Sequence, residues 1–126
     1  MLSFRPRKRV LLLDDDHSMQ RLVETLLKRA GFRVDAVGKG NEAIERMKST
    51  KYAAVLLDLM MPHEGGMTVL RHLRSTDPAM LHRVVLLTAA PQSILRGIES
   101  EVFGVVRKPF QHADLVSAVT RCVDAK

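Results

Sequence analysis

The sequence reads as one α/β domain, a doubly wound five-stranded parallel sheet with helices on both faces. Three observations lead there. Short apolar runs alternate with longer segments whose apolar residues recur at helical spacing. Each longer segment but the last lies between two runs, as βαβ units with right-handed crossovers require. The 126-residue length suits one domain and is too short for two ordinary ones.

The elements follow in order. Val10-Leu11-Leu12-Leu13 is continuously apolar, as a strand buried on both faces is, and it stops at Asp14, Asp15 and Asp16. Met19, Leu22, Val23, Leu26, Leu27 and Ala30 then mark a helix, with Gly31 where a C-cap belongs. Residues 32–37 form a second strand, interrupted by Arg33 and Asp35, and residues 41–47 a helix capped by Asn41 with Ala43, Ile44 and Met47 on one face. A third strand over 53–57 stops at Asp58. After the turn-rich Pro62-His63-Glu64-Gly65-Gly66 comes a helix carrying Val69, Leu70 and Leu73. Residues 84–87 form the fourth strand, ending at Thr88. The helix after it contains Gly97, which costs up to about 1 kcal/mol relative to Ala mid-helix and predicts a short or mobile element. Residues 102–106 form the fifth strand, ending near Lys108-Pro109, and residues 113–123 the last helix, with Leu115, Val119 and Cys122 inward.

Composition narrows the function. A chain 46% hydrophobic with 7 Gly and 5 Pro is neither disordered nor collagen-like. No run approaches a membrane span, and the basic N-terminus lacks the apolar segment of a secretory signal. A single cysteine, Cys122, excludes an internal disulfide and fits a reducing, cytoplasmic setting. The net charge of +6 owes most to Arg5, Arg7, Lys8 and Arg9, leaving the remainder close to neutral. With aromatics at 4% and none among those basic residues, residues 1–8 read as a solvated tail with no direct nucleic-acid or membrane partner, ahead of a domain over 9–124.

Ligands of such sheets sit beyond the C-terminal strand ends, where strand order reverses. Here the first strand delivers Asp14, Asp15 and Asp16, the third Asp58, the fourth Thr88 and the fifth Lys108. Clustered carboxylates repel, and a divalent cation with hard oxygen ligands, Mg²⁺ above all, relieves the repulsion. A carboxylate beside that ion can attack phosphorus, and a lysine and a hydroxyl suit the charge on the transferred oxygens. The pattern predicts phosphoryl transfer onto an aspartate.

Leu13-Asp14-Asp15-Asp16, Leu57-Asp58-Leu59-Met60-Met61-Pro62, Leu87-Thr88-Ala89 and Arg107-Lys108-Pro109-Phe110 together resemble the receiver domain of two-component response regulators, over nearly the whole chain. The resemblance implies the flavodoxin-like strand order 2-1-3-4-5. It implies metal binding by Asp14, Asp15, Asp58 and the backbone carbonyl of Met60, phosphoacceptance by Asp58, and phosphoryl contacts from Thr88 and Lys108. Pro109 would fix the turn that aims Lys108, through a cis bond, and small Ala89 would leave access. The donor would be a phosphohistidine on a sensor histidine kinase or histidine phosphotransfer protein; the downstream output partner is unknown, and a homodimer stays open. No DNA-binding or enzymatic output module is expected within these residues. The protein would be a signalling switch and not a turnover enzyme.

Other roles stand beside these. Asp16 is better read as a helix cap than as a ligand, Asp15 is open to the same reading, and Asp14, ending a buried apolar run, is not. Met60 and Met61 read as packing, His63 as an exposed loop residue, and Cys122 as a buried inert thiol. Val105 stands where the family usually has an aromatic that moves with the threonine, and Phe103 is the only nearby substitute. The stretch between Thr88 and Lys108 is slightly short. Gly65 replaces a common acidic residue and is expected to loosen the loop after Asp58. Neither Met60 nor Ala90 offers a polar side chain to orient an attacking water, which predicts slow self-dephosphorylation. The main alternative is a phosphorylation-independent pseudo-receiver that only docks. A small phosphatase with an aspartate nucleophile fits less well, since no acidic pair follows a strand after Lys108.

Overall fold

Strand side chains alternate between two apolar layers, which is why the apolar runs are unbroken. The computed structural model describes residues 7–62 and 64–125. Its elements are β1 (Arg9–Leu13), α1 (His17–Arg29), β2 (Arg33–Val37), α2 (Gly40–Ser49), β3 (Ala54–Leu57), α3 (Gly66–Thr76), β4 (Val84–Thr88), α4 (Gln92–Leu95), β5 (Gly104–Arg107) and α5 (His112–Asp124). A 3-10 helix over Pro78–Arg83, which periodicity does not reveal, leads into β4. The sheet has five strands, all parallel, in the order β2-β1-β3-β4-β5, as the resemblance implies.

One core layer holds Leu11, Leu13, Val55, Leu57, Val84 and Leu86 against Ala43, Val69, Leu70, Leu73 and Leu95, so α2, α3 and α4 cover that face. Val10, Leu12, Ala54, Leu56, Val85 and Leu87 point the other way, onto Val23 and Leu27 of α1 and Leu115, Val119 and Cys122 of α5. Burying each leucine contributes roughly 2 kcal/mol from the apolar area it removes from water. Among the described residues no helix is long and apolar enough to cross a membrane.

Four local expectations change. Lys39 is the N-cap of α2, and Asn41 sits inside the helix, its Oδ1 accepting from the Glu42 amide at 2.9 Å. β5 starts at Gly104, two residues later than the apolar run. Phe103 therefore precedes the strand and packs into the α1–α5 layer, opposite Val105, so it does not stand in for the missing aromatic. Gly97 lies beyond α4 at φ +85°, a conformation costly for other residues, so it follows a helix that has already ended instead of weakening one in mid-course. α4 is accordingly only four residues long.

Cys122 is buried, which pushes its thiol up to about 11 against a small opposing effect of Arg83, and this agrees with an inert thiol. Arg7 and Lys8 are exposed, while the rest of the basic N-terminal cluster up to Pro6, and His63, lie outside the described residues.

Candidate functional site

β1 and β3 are neighbours in register, with Leu13 beside Leu57, so the next residues, Asp14 and Asp58, emerge side by side. This is the switch point of the sheet, because the chain leaves β1 toward one edge for β2 and crosses back for β3. The backbone ladder continues one residue past each strand. Asp14 N donates to Val37 O at 3.1 Å, Asp58 N to Leu13 O at 3.1 Å and Lys108 N to Thr88 O at 3.0 Å. The functional side chains thus hang from sheet backbone and not from free loops.

Asp14, Asp58 and Thr88 are the buried polar or charged residues among those described, at 1%, 5% and 0% exposure, in an otherwise apolar interior. Buried carboxylates need partners, and the two aspartates have matching ones. The Oδ1 of Asp14 accepts from the Asp16 amide at 2.9 Å, and that of Asp58 from the Met60 amide at 3.0 Å. Their Oδ2 atoms share the Lys108 ammonium, at 2.7 and 3.2 Å. Burial pulls the Lys108 pKa down, but the Asp14 hydrogen bond and the charges of Asp14 and Asp58 outweigh it and hold the lysine above its ordinary value. Lys108 is therefore a fixed cation, and the Lys108–Pro109 peptide that follows is cis.

Exposed Asp15 completes the acidic group: one oxygen each from Asp14, Asp15 and Asp58 lie within 4.8 Å of one another. Three carboxylates form a hard donor set, the chemistry that Mg²⁺ selects. Asp16 turns away as the N-cap of α1, accepting from the Ser18 and Met19 amides at 2.8 and 3.1 Å. The Met60 side chain is 53% exposed, so it does not pack as expected, whereas Met61 rests on the α2–α4 core. Ala89 is exposed and Ala90 buried.

The loop after Asp58 is tied more closely than Gly65 led one to expect. Gly40 N donates to Glu64 O at 2.6 Å and Gly66 N to Asp58 O at 2.9 Å. A Cβ on Gly66 would lie 2.6 Å from the Asp58 carbonyl oxygen, so the start of α3 abuts the acceptor's own backbone. Two further polar residues brace the backbone beside the site. Gln20 Nε2 donates to Asp14 O at 2.5 Å and to Val37 O at 3.1 Å, bridging the ends of β1 and β2. Arg107, paired with Thr88 across β4 and β5, reaches over the loop that follows the threonine. The signal for Gln20 is its place one helical turn after the Asp16 cap; Arg107 has none beyond adjoining Lys108.

The family profile described as response regulator receiver domain matches residues 10–120. The DNA-binding response regulator MtrA of Mycolicibacterium smegmatis is 34% identical over 115 residues, covering 90% of this chain and 49% of that protein. The chain thus spans about half the length of the curated relatives it matches. A sensor protein from Polaromonas sp. JS666 superposes with a TM-score of 0.82 at 28% identity, over 94% of this chain and 98% of that one. The receiver domain of a sensor histidine kinase from Pseudomonas aeruginosa PAO1, with magnesium ion coordinated in its active site cleft, shares the fold at a TM-score of 0.84 and 24% identity, over 95% and 100% of the two chains. With this profile match along most of its length, the chain belongs to the response regulator receiver domains, signalling switches of two-component systems and not turnover enzymes.

Proposed function

We propose that the protein is controlled by phosphorylation of Asp58, taking the phosphoryl group from a phosphohistidine of a sensor histidine kinase or histidine phosphotransfer protein. The arrangement of Asp58 carries this reading: a buried carboxylate at the switch point, one oxygen on the Met60 amide and the other on Lys108, beside two more carboxylates. An Asp58 oxygen forms the new bond to phosphorus as the phosphorus–nitrogen bond breaks and the electron pair stays on the imidazole. Lys108 neutralises charge on the phosphoryl oxygens, and the Thr88 hydroxyl donates to one of them.

Asp14, Asp15, Asp58 and the Met60 carbonyl would hold Mg²⁺, which when bound screens the carboxylates and the phosphoryl oxygens from one another. The ion coordinated in the Pseudomonas aeruginosa domain supports carrying it over. We read residues 9–124 as the functional unit and its setting as cytoplasmic, where such kinases present their phosphohistidine.

Intact mass after incubation with Mg²⁺ and a small phosphodonor tests the reading, comparing wild type with Asp58→Asn. One added phosphoryl group, labile to base and absent from Asp58→Asn, is the expected result. No gain in folded protein, with a donor active on a control receiver, would establish a pseudo-receiver that binds constitutively.

A further inference from the structure

Arg107 occupies the β5 position directly across from Thr88. Its guanidinium grips two points beyond that threonine: Nη1 donates to Ala90 O at 3.1 Å, and Nη2 to Gln92 Oε1 at 2.5 Å. Gln92 in turn donates through Nε2 to Glu99 Oε1 at 3.2 Å. Ala90 is held through both of its flanking peptides, because its amide donates to Thr88 Oγ1 at 3.1 Å. A hydroxyl, an amide, a carbonyl and a guanidinium thus form one chain from the buried threonine to the first residue of α4.

We infer that Arg107 is the positioning residue that couples Thr88 to α4, in place of the aromatic absent at Val105. This rests on the phosphorylation of Asp58 proposed above. α4 has four residues and one buried side chain, Leu95, so its own helical bonds and packing hold it weakly. A short helix of that kind takes its place from its tethers, and the planar two-point fork of Arg107 is the tether rooted in the sheet. When the Thr88 hydroxyl turns to a phosphoryl oxygen, the Ala90 amide loses its acceptor and the backbone on both sides of Ala90 reorients. The carbonyl then leaves Nη1, and Gln92 is released with α4. A single-point cation cannot reproduce the grip, so Arg107→Lys keeps the charge and loses the coupling.

Hydrogen exchange over residues 90–99, with and without Mg²⁺ and a small phosphodonor, tests this on wild type, Arg107→Ala, Arg107→Lys and Gln92→Ala, with phosphoryl content read by intact mass in each. In wild type, phosphorylation should speed exchange of these amides about tenfold, the effect of freeing one charge-assisted hydrogen bond. Arg107→Ala should take up the phosphoryl group to the same extent, start from the faster exchange and show no further response. Arg107→Lys should behave like Arg107→Ala, and Gln92→Ala should keep part of the response. An equal response in wild type and both arginine variants, or none in phosphorylated wild type, overturns the coupling role while leaving the functional reading intact. Absence of phosphoryl uptake by wild type overturns the functional reading and the coupling with it.

Discussion

Lys108 Nζ lies closer to Asp14 Oδ2, at 2.7 Å, than to Asp58 Oδ2, at 3.2 Å. The contact joins residues 94 positions apart in sequence. One ammonium, 17% exposed, therefore neutralises two carboxylates that are almost fully buried. The fold rests on a charge balance that the proposed phosphoryl transfer also uses.

Removing that ammonium should be costly. Lys108→Ala leaves Asp14 and Asp58 facing each other without a cation and should destabilise the fold by about 3 kcal/mol, the scale for breaking a buried ion pair. Mg²⁺ should recover more stability in this variant than in wild type, since it replaces the missing positive charge. Urea unfolding of both proteins with and without Mg²⁺ decides this, and an equal Mg²⁺ effect in the two would refute it.

Gly66 is confined by its neighbour's backbone. Gly66→Ala places a methyl 2.6 Å from the Asp58 carbonyl oxygen, where only a backbone shift can make room. A loss of about 2 kcal/mol is expected from overpacking, with slower phosphoryl uptake because Asp58 itself must move. Thermal melts and intact-mass time courses report the two effects, and a variant with wild-type values in both would show that the loop yields freely.

Alkaline pH should weaken the fold through two buried acids. Burial, then the hydrogen bond to Asp35 (2.7 Å) and its charge, push Tyr52 from its ordinary 10 up to about 12. Burial lifts Cys122 from 9 to about 11. Each group holds its proton more tightly in the folded chain, so unfolding releases protons between the two values and stability falls as pH rises. That contribution is intact below pH 9 and is lost from there to about pH 12. Denaturation midpoints across this range should decline less steeply for Tyr52→Phe than for wild type; parallel curves would contradict the assignment.

The phosphoryl group, once on Asp58, should be long-lived. The Met60 side chain is apolar and exposed, and Ala90 is small and buried, so neither orients an attacking water. Met60→Asn supplies such a group and should shorten the lifetime about tenfold, through positioning of the water. The decay of phosphorylated protein by intact mass measures it, and rapid loss in wild type unchanged by the substitution would remove the explanation.

The sequence by itself determined the sheet and the end of it that matters. Parallel strands buried on both faces must be apolar throughout, so the positions where polarity resumes, Asp14, Asp58, Thr88 and the Arg107-Lys108 pair, mark the strand ends without any coordinates. It also marked Asp16 as a cap, while leaving Asp15 open between cap and ligand, because a cap is a local matter of three or four residues. Asn41 misled for the same reason: capping residues also occur inside first turns, and the backbone alone decides which residue begins the helix.

Tertiary structure decided what depends on distance in sequence. The division of one ammonium between Asp14 and Asp58 and the contact of Gly66 with the Asp58 carbonyl arise only when strands are laid side by side. The grip of Arg107 on Ala90 and Gln92 is of the same kind. Periodicity records which face a residue presents, and not which side chain from another strand will meet it there.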